Sequence, residues 1–537
     1  MSAPNKDSVK ALTDDIEIDV LESNPQDHLE QLHRAREDLE QQKGLTVKQG
    51  LLRYRGAVMW SALMTLTIVM EAYDYGMMGS LFGFPAFAQK FGDRLPSGKY
   101  NVSAGMQSVL KQVTKAGQLV GLAATGPLLD RFGYKWTMLL SLSCIAPVVV
   151  MQFLAPNVKV LIAAQLLIGI PLGPFLTLSH VYAAEVAPVC LRTYMTSATS
   201  LAWSTGGLIS TGVLKGLLKA SIAHSYRIAF AIQWVWLFPL AVIIWFAPES
   251  PTWCIKAGRV DRARMALRRL ASDDESDEQI ENRLALLQYT DSVEKEYAAS
   301  TSYLELFKGV NLRRTEIAVV TYSCTNLDGY TLAASGTYFF QQAGMDASTS
   351  FTLTLTSYAI AIVTCLVSWF FARRFGLRPL YLIGLGVTVL IQLGIGALGI
   401  PKPRASLAWG TGALCWFFNI VFFICNGPLT YTIVADAPNN RLRSKTVLFA
   451  RACFLASAVF MVVLTNYQIN ATAWNWRGKA GFFWAGSCLL CLVWAFFRLP
   501  ESKGRSAAEL DKLYHDRVPA RKFASTKVEI FEENQLE

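Results

Sequence analysis

The feature that most constrains this chain is its repetition of apolar runs about twenty residues long. A run of that length satisfies its own backbone inside lipid only as a helix. Twelve runs are read, at 57–82, 104–128, 136–154, 160–183, 195–218 and 228–247, then at 315–341, 349–372, 379–399, 407–433, 446–467 and 479–498. They are called below the first to the twelfth helix. With 52% hydrophobic and only 17% charged residues, the 537-residue chain reads as an integral membrane protein rather than a string of soluble domains. The net charge of +10 would suggest nucleic acid in a soluble protein. Here the cations Arg131, Lys135, Arg192, Arg374, Arg378, Arg443 and Lys445 fall in short loops on one side, so no nucleic-acid partner is expected. That side is the cytoplasm, and the even number of spans puts both termini there.

A polar block, Pro248 to Thr315, divides the runs into two sets of six. Marks in the first set recur in the second: DRFGYK (130–135) answers RRFGLR (373–378), and Glu185 with Arg192 is echoed by Asp436 with Arg443. Pro248-Glu249-Ser250 closes one half as Pro500-Glu501-Ser502 closes the other. Such recurrence marks a duplicated unit. The predicted fold is all-α, with two pseudo-symmetric six-helix bundles (57–247 and 315–498) and a cytoplasmic helical linker (248–314). Cytoplasmic tails flank them at 1–56 and 499–537. The first tail is expected to be mobile with a short amphipathic helix near 26–42, and no cleavable signal peptide precedes the first helix. In the linker, Val260, Ala263, Leu267 and Leu270 keep helical spacing beside arginines, which predicts surface helices packed beneath both bundles. Asn101-Val-Ser103 and Asn470-Ala-Thr472 are glycosylation acceptors, and both land in loops assigned outside.

Glu71 and Asp74 are the most informative pair, because an acid within a spanning helix costs roughly 2.5–3.5 kcal/mol on insertion scales. Three positions apart they share a helix face, and two carboxylates so placed in a low dielectric do not both ionise easily. That suits a proton carrier; the alternative is a helix-end acid reaching water. Arg451 on the eleventh helix is a candidate counter-charge, or an arginine snorkelling to the surface. Asp328 reads as a second proton site, a substrate hydroxyl acceptor, or an acid kept neutral by burial. His180 reads as a packed or water-facing histidine. The ten cysteines are scattered singly and read as small packing residues. Nothing resembles a catalytic triad, a phosphate loop or a metal cluster, so no enzyme, cofactor or metal is expected.

The motifs GPLLDRFGYK (126–135), VYAAEVAPVCLR (181–192), PESPTW (248–253), ELFKGVNLRRT (305–315), GPLTY (427–431) and PESKGRSAAELDKLY (500–514) resemble the sugar-porter branch of the major facilitator superfamily. EAYDYGMMGS (71–80) and QLLIGIPLG (165–173) are similar to the fungal alpha-glucoside, or maltose-type, permeases. The resemblance implies a proton-coupled secondary transporter in the plasma membrane, importing an alpha-glucoside or other oligosaccharide. A uniporter, a sugar-acid or polyol symporter and a non-transporting sensor are the rivals. It implies that Arg451 accompanies Glu71 and Asp74. It implies a gate of ion pairs at cytoplasmic helix ends, drawn from Asp130, Arg131, Glu185, Arg192, Glu249, Asp436 and Arg443. For the sugar pocket the expected residues are Trp203, Asn326, Asp328, Tyr338, Tyr358, Asn419, Asn426 and Tyr431, since sugars are held by amides, hydroxyls and aromatic faces. The chain departs from the family at Arg373, where an Asp is usual, which weakens the second gate. It departs again at Gly206-Gly207, where a glutamine is frequent, which predicts a roomier pocket.

Overall fold

In a computed structural model of the chain, the described residues are 34, 47–96, 98, 100–187, 189–219, 225–271, 275–299, 302–401, 405–439, 442–502, 507–523 and 525–526. The helix predicted near 26–42 lies outside them, Arg34 apart. Helix occupies every one of the twelve predicted intervals. Among the described residues, nine helices are long and apolar enough to cross a membrane. The fifth, Val189–Leu217, rich in Ser, Thr and Gly, and the interrupted seventh are not among those nine. Large apolar side chains such as Phe238, Leu390, Phe460 and Leu490 are exposed, as surfaces meeting lipid acyl chains must be.

The first helix is Arg55–Leu81. The second and third are one continuous stretch, Ala104–Leu154, folded back at Gly133, whose φ of 83° lies where a Cβ is disfavoured. Ser103 starts that stretch by accepting a hydrogen bond from the Met106 N–H, and Asn157 starts the fourth helix, Val158–Val186, by accepting from Val160 N–H at 3.0 Å. The second and fourth helices run against each other backbone to backbone. A Cβ on Gly117, Gly121 or Gly169 would overlap the facing main chain, so small residues set this approach. The sixth helix is Ser225–Ala231 followed by Gln233–Phe246.

The second half is less regular. Its seventh helix runs as Gly309–Leu327, breaks at Asp328-Gly329 with Gly329 at φ 94°, and resumes as Tyr330–Ala334 and Gly336–Gln342. The eighth and ninth are Ala347–Arg374 and Leu377–Leu398. The tenth is Ala405–Val421, a π turn over Phe422–Asn426, and Gly427–Asp436. The eleventh and twelfth are Arg443–Ile469 and Ala480–Arg498.

The linker forms Pro251–Lys256, Val260–Leu270 and Asp277–Ala299. Its apolar stripe, Ala263, Leu267, Leu270, Ile280 and Leu284, is buried in the same cluster as Tyr54, Tyr134 and Tyr182 of the first half. Arg264 pairs with Glu281 at 2.5 Å, and Arg283 donates to the Val186 carbonyl while lying over the Tyr54 ring. The linker is therefore fastened to the first bundle. Of the nine cysteines placed, seven are buried and all are free, as packing residues would be.

Candidate functional site

Glu71 and Asp74 are both buried in the middle of the structure, at 1% and 2% exposure. They do not bond to each other; each has its own carboxamide from another helix. Gln118 of the second helix donates to Glu71 Oε1 at 2.9 Å, while Glu71 Oε2 has no hydrogen-bond partner. Gln233 of the sixth helix donates to Asp74 Oδ1 at 3.1 Å and lies 3.3 Å from the carboxamide oxygen of Gln152 of the third. Arg451, from the other half, is within electrostatic reach of Glu71 and of His180. Its guanidinium donates to the Tyr322 hydroxyl and covers the rings of Tyr322 and Phe454, which stack at 4.6 Å. His180 is spent on Thr199, at 2.9 Å.

Aromatic side chains from both halves converge beside these acids. Trp203 meets Tyr75 edge to face at 5.8 Å, and Tyr330 stacks on Phe422 at 4.5 Å. The hydroxyls of Tyr75, Tyr358 and Tyr431 are the phenols that Tyr330 senses electrostatically. Tyr431 is 44% exposed although Tyr322 and Arg451 flank it, so it faces the space between the halves. Trp203, Tyr358 and Tyr431 thus lie together, joined by Tyr75 and Tyr330. The other predicted pocket residues are placed otherwise. Asn326 is committed to the eleventh helix, donating to Phe454 O at 3.0 Å and Ser457 Oγ at 2.9 Å. Asn419 donates back to Cys415 O, and Asp328 and Asn426 are each 1% exposed, Asp328 accepting from the Tyr330 N–H. The room expected at Gly207 is filled: a Cβ there would overlap the ring of Tyr358, reaching across from the eighth helix.

At the linker end the repeated motifs do matching work. Glu249 accepts from Tyr134 N–H at 2.8 Å and Lys135 N–H at 3.4 Å, and Glu501 accepts from Leu377 N–H and Arg378 N–H, each at 3.1 Å. Ser250 donates to Glu185, and Ser502 to Asp436 at 3.4 Å. Burial pushes the Glu249 carboxyl above its usual range, and the backbone N–H groups pull the other way. These contacts tie helices within each half. Asp130 and Arg131 are exposed and make no ion pair among the described residues. The side chains of Arg192, Arg373 and Arg443 lie outside what is described.

At the opposite end the two halves are hydrogen-bonded to each other. Asn101 donates to Asn470 Oδ1 at 3.0 Å, Tyr338 donates to Asn101 Oδ1 at 3.0 Å, and Asn470 donates to Val102 O at 2.9 Å. Lys111 donates to Asn466 Oδ1 at 3.2 Å, and Gln341 to Gly83 O at 2.7 Å. Tyr338 therefore belongs to this closure, away from the central rings. Asn101 and Asn470, the two acceptor asparagines, are buried against one another at 6% and 0% exposure. A glycan on either requires this contact to be open. Sequence reasoning missed Gln118, Gln152, Gln233, Tyr75 and Tyr330; the glutamines inside apolar runs were the available signal, since an unpaired buried amide is costly.

The sequence pattern of the family described as "Sugar (and other) transporter" matches residues 60–514. Among curated proteins, the chain is 35% identical over 503 residues to the general alpha-glucoside permease of Saccharomyces cerevisiae, covering 93% of this chain and 81% of the relative. It is likewise 35% identical over 508 residues to the maltose permease MAL31 of the same yeast, covering 94% and 83%. Among solved structures, the major facilitator proton:xylose symporter XylE bound to 6-bromo-6-deoxy-D-glucose matches with TM-score 0.68 and 18% identity, over 86% of this chain and all of that one. The inward-open xylose transporter XylE of E. coli matches with TM-score 0.63 and 17% identity, over 84% and 98%.

Proposed function

The chain belongs to the sugar transporter family of the major facilitator superfamily and is a membrane carrier, not an enzyme, and on that premise we propose that it imports an alpha-glucoside across the plasma membrane by proton symport, with both termini cytoplasmic. The observation that carries the reading is Glu71, buried with one oxygen unpaired and with Arg451 of the opposite half in electrostatic reach. Ionised, Glu71 attracts Arg451 and draws the halves together. With a proton bound, that attraction is lost and the halves are free to part, so the carboxyl couples proton binding to rocking of two rigid bodies. Glucosyl rings fit the centre: the faces of Tyr75, Trp203, Tyr330 and Tyr358 cover C–H surfaces, while the hydroxyls of Tyr75, Tyr330, Tyr358 and Tyr431 and the indole N–H of Trp203 meet sugar hydroxyls. The closure through Asn101, Asn470 and Tyr338 is the outer gate in its shut position.

Purified protein in proteoliposomes, given labelled maltose, other alpha-glucosides, glucose and xylose with and without an inward proton gradient, tests this. Concentrative uptake of alpha-glucosides only with the gradient is expected. Equal equilibration with and without it overturns proton coupling in favour of a uniporter. Binding without flux makes the protein a sensor, and uptake restricted to polyols or sugar acids removes the glucoside assignment.

A further inference from the structure

Behind the sugar-facing rings the second half holds a buried polar column. Asp328 stands where the seventh helix breaks, and its carboxylate accepts from the Tyr330 N–H, 3.0 Å from Oδ1. The ninth helix presents Gly384, Thr388 and Gln392 on one face, four residues apart. At one end of that face a Cβ on Gly384 would overlap the Asn426 carboxamide of the π turn; at the other, Gln392 Nε2 lies 3.5 Å from the Asp328 carbonyl. Thr388, Gln392 and Asn426 are each at most 1% exposed. Thr388 Oγ1, Gln392 Oε1 and Asn426 Oδ1 have no hydrogen-bond partner, and the Asn426 amide N–H side approaches the Asp328 carboxylate.

The titratable groups facing Asp328 are Cys324 of its own helix, Tyr330 beyond the break, Tyr381 of the ninth helix and Cys488 of the twelfth. None is a cation. Glu71 has Arg451; Asp328 has no positive partner among the described residues. A carboxylate buried without a cation is expensive, whereas a carboxylic acid is cheap there and donates to one of the idle acceptors. We infer that Asp328, with Asn426, Thr388 and Gln392, forms a second proton-carrying site in the C-terminal half, separated from the sugar by Tyr330. The proton sits on an Asp328 oxygen, with the amides of Asn426 and Gln392 beside it. It leaves to water when Tyr330, whose own N–H holds the carboxylate, moves with the resumed part of the seventh helix. Asp74 with Gln152 and Gln233 is the counterpart in the first half, an acid on the first helix of its bundle met by amides from the third and sixth.

This inference rests on the proton-symport reading and fails separately from it. The test is the ratio of proton to sugar flux in proteoliposomes, with Asp328→Asn and Gln392→Leu beside the parent. The expected ratio falls from about two to about one in Asp328→Asn, with gradient-driven accumulation reduced but retained. Gln392→Leu, which keeps the acid and removes its acceptor, shifts the external pH at half-maximal uptake. Infrared difference spectra of the parent on sugar binding should show a protonated-carboxyl band that Asp328→Asn lacks, a readout that survives poor transport by the variant. A parental ratio near one that Asp328→Asn leaves unchanged, or a sugar-difference spectrum with no Asp328-dependent carboxyl band, overturns the second site while leaving Glu71 as the coupling acid. Sugar uptake indifferent to the proton gradient overturns both readings.

Discussion

The two halves are alike at the linker end and unlike in the membrane centre. Each closes with Pro-Glu-Ser, and in each the glutamate accepts two backbone N–H groups where the third or ninth helix begins, while the serine bonds an acid at the end of the fourth or tenth. In the centre the first half has two acids on a regular helix, one facing a cation across the interface. The second half has one acid at a helix break, surrounded by amides. On the proposed rocking mechanism, the like ends keep each bundle rigid, and the unlike centre lets one half respond to charge on the other.

The largest effect should come from breaking that asymmetry at its charged point. Glu71→Gln is expected to collapse accumulation even with Asp328 intact, because the charge that ties protonation to rocking through Arg451 is gone; the concentration ratio should fall by about two orders of magnitude while exchange of internal for external sugar persists. Uphill uptake at the parental level would remove Glu71 from coupling. Asp74→Asn, with its acid already held by Gln233, is expected to reduce accumulation less than Glu71→Gln does.

Gly207→Gln comes next, because its side chain would have to occupy the space of the Tyr358 ring. Transport should fall by about ten- to a hundredfold, and Tyr358→Ala in the same chain should restore part of it. If Gly207→Gln alone transports normally and merely changes the ranking of sugars, the halves do not depend on this approach.

The shared clasp predicts matched losses. Glu249→Ala and Glu501→Ala each strand two backbone N–H groups, costing about 1–3 kcal/mol apiece, read as lower melting temperatures in detergent. A clear loss in one and none in the other would break the equivalence of the halves.

The smallest effect is expected at the far end. Asn101→Ala removes the bonds to Asn470 and Tyr338, worth about 1–2 kcal/mol of closed state. The population open at that end should rise several-fold, measured by labelling a cysteine placed at Gly105 with and without Asn101→Ala. Unchanged labelling would show that apolar packing, not this clasp, holds the end shut.

Much of the fold was legible because its causes are local. A twenty-residue apolar run forms a helix wherever it lies in lipid, and a motif repeated at matched spacing marks a duplicated unit. The placing of Glu71 and Asp74 as buried acids followed from their cost in an apolar run. Partner choice was not legible. Whether Glu71 bonds Asp74 or Gln118 depends on helix rotation and depth, which side chains on other helices decide. Tyr338 and Asn326 sit on the expected helix, yet the break at Gly329 separates them, sending one to the far gate and leaving the other bonded to the eleventh helix.

By itself, then, the sequence determined a membrane-spanning, duplicated helical carrier with two acids inside its first spanning helix, because length, hydropathy and repetition act along the chain. Only the tertiary structure decided that Tyr358 fills the space at Gly207, that Glu249 and Glu501 hold the backbone turns opening the third and ninth helices, and that Asp328 is buried at the helix break beside Gln392. The first two of those outcomes are set by contacts between residues more than a hundred positions apart, and the third by Gln392 on another helix, 64 positions away; no period or spacing along the chain encodes them.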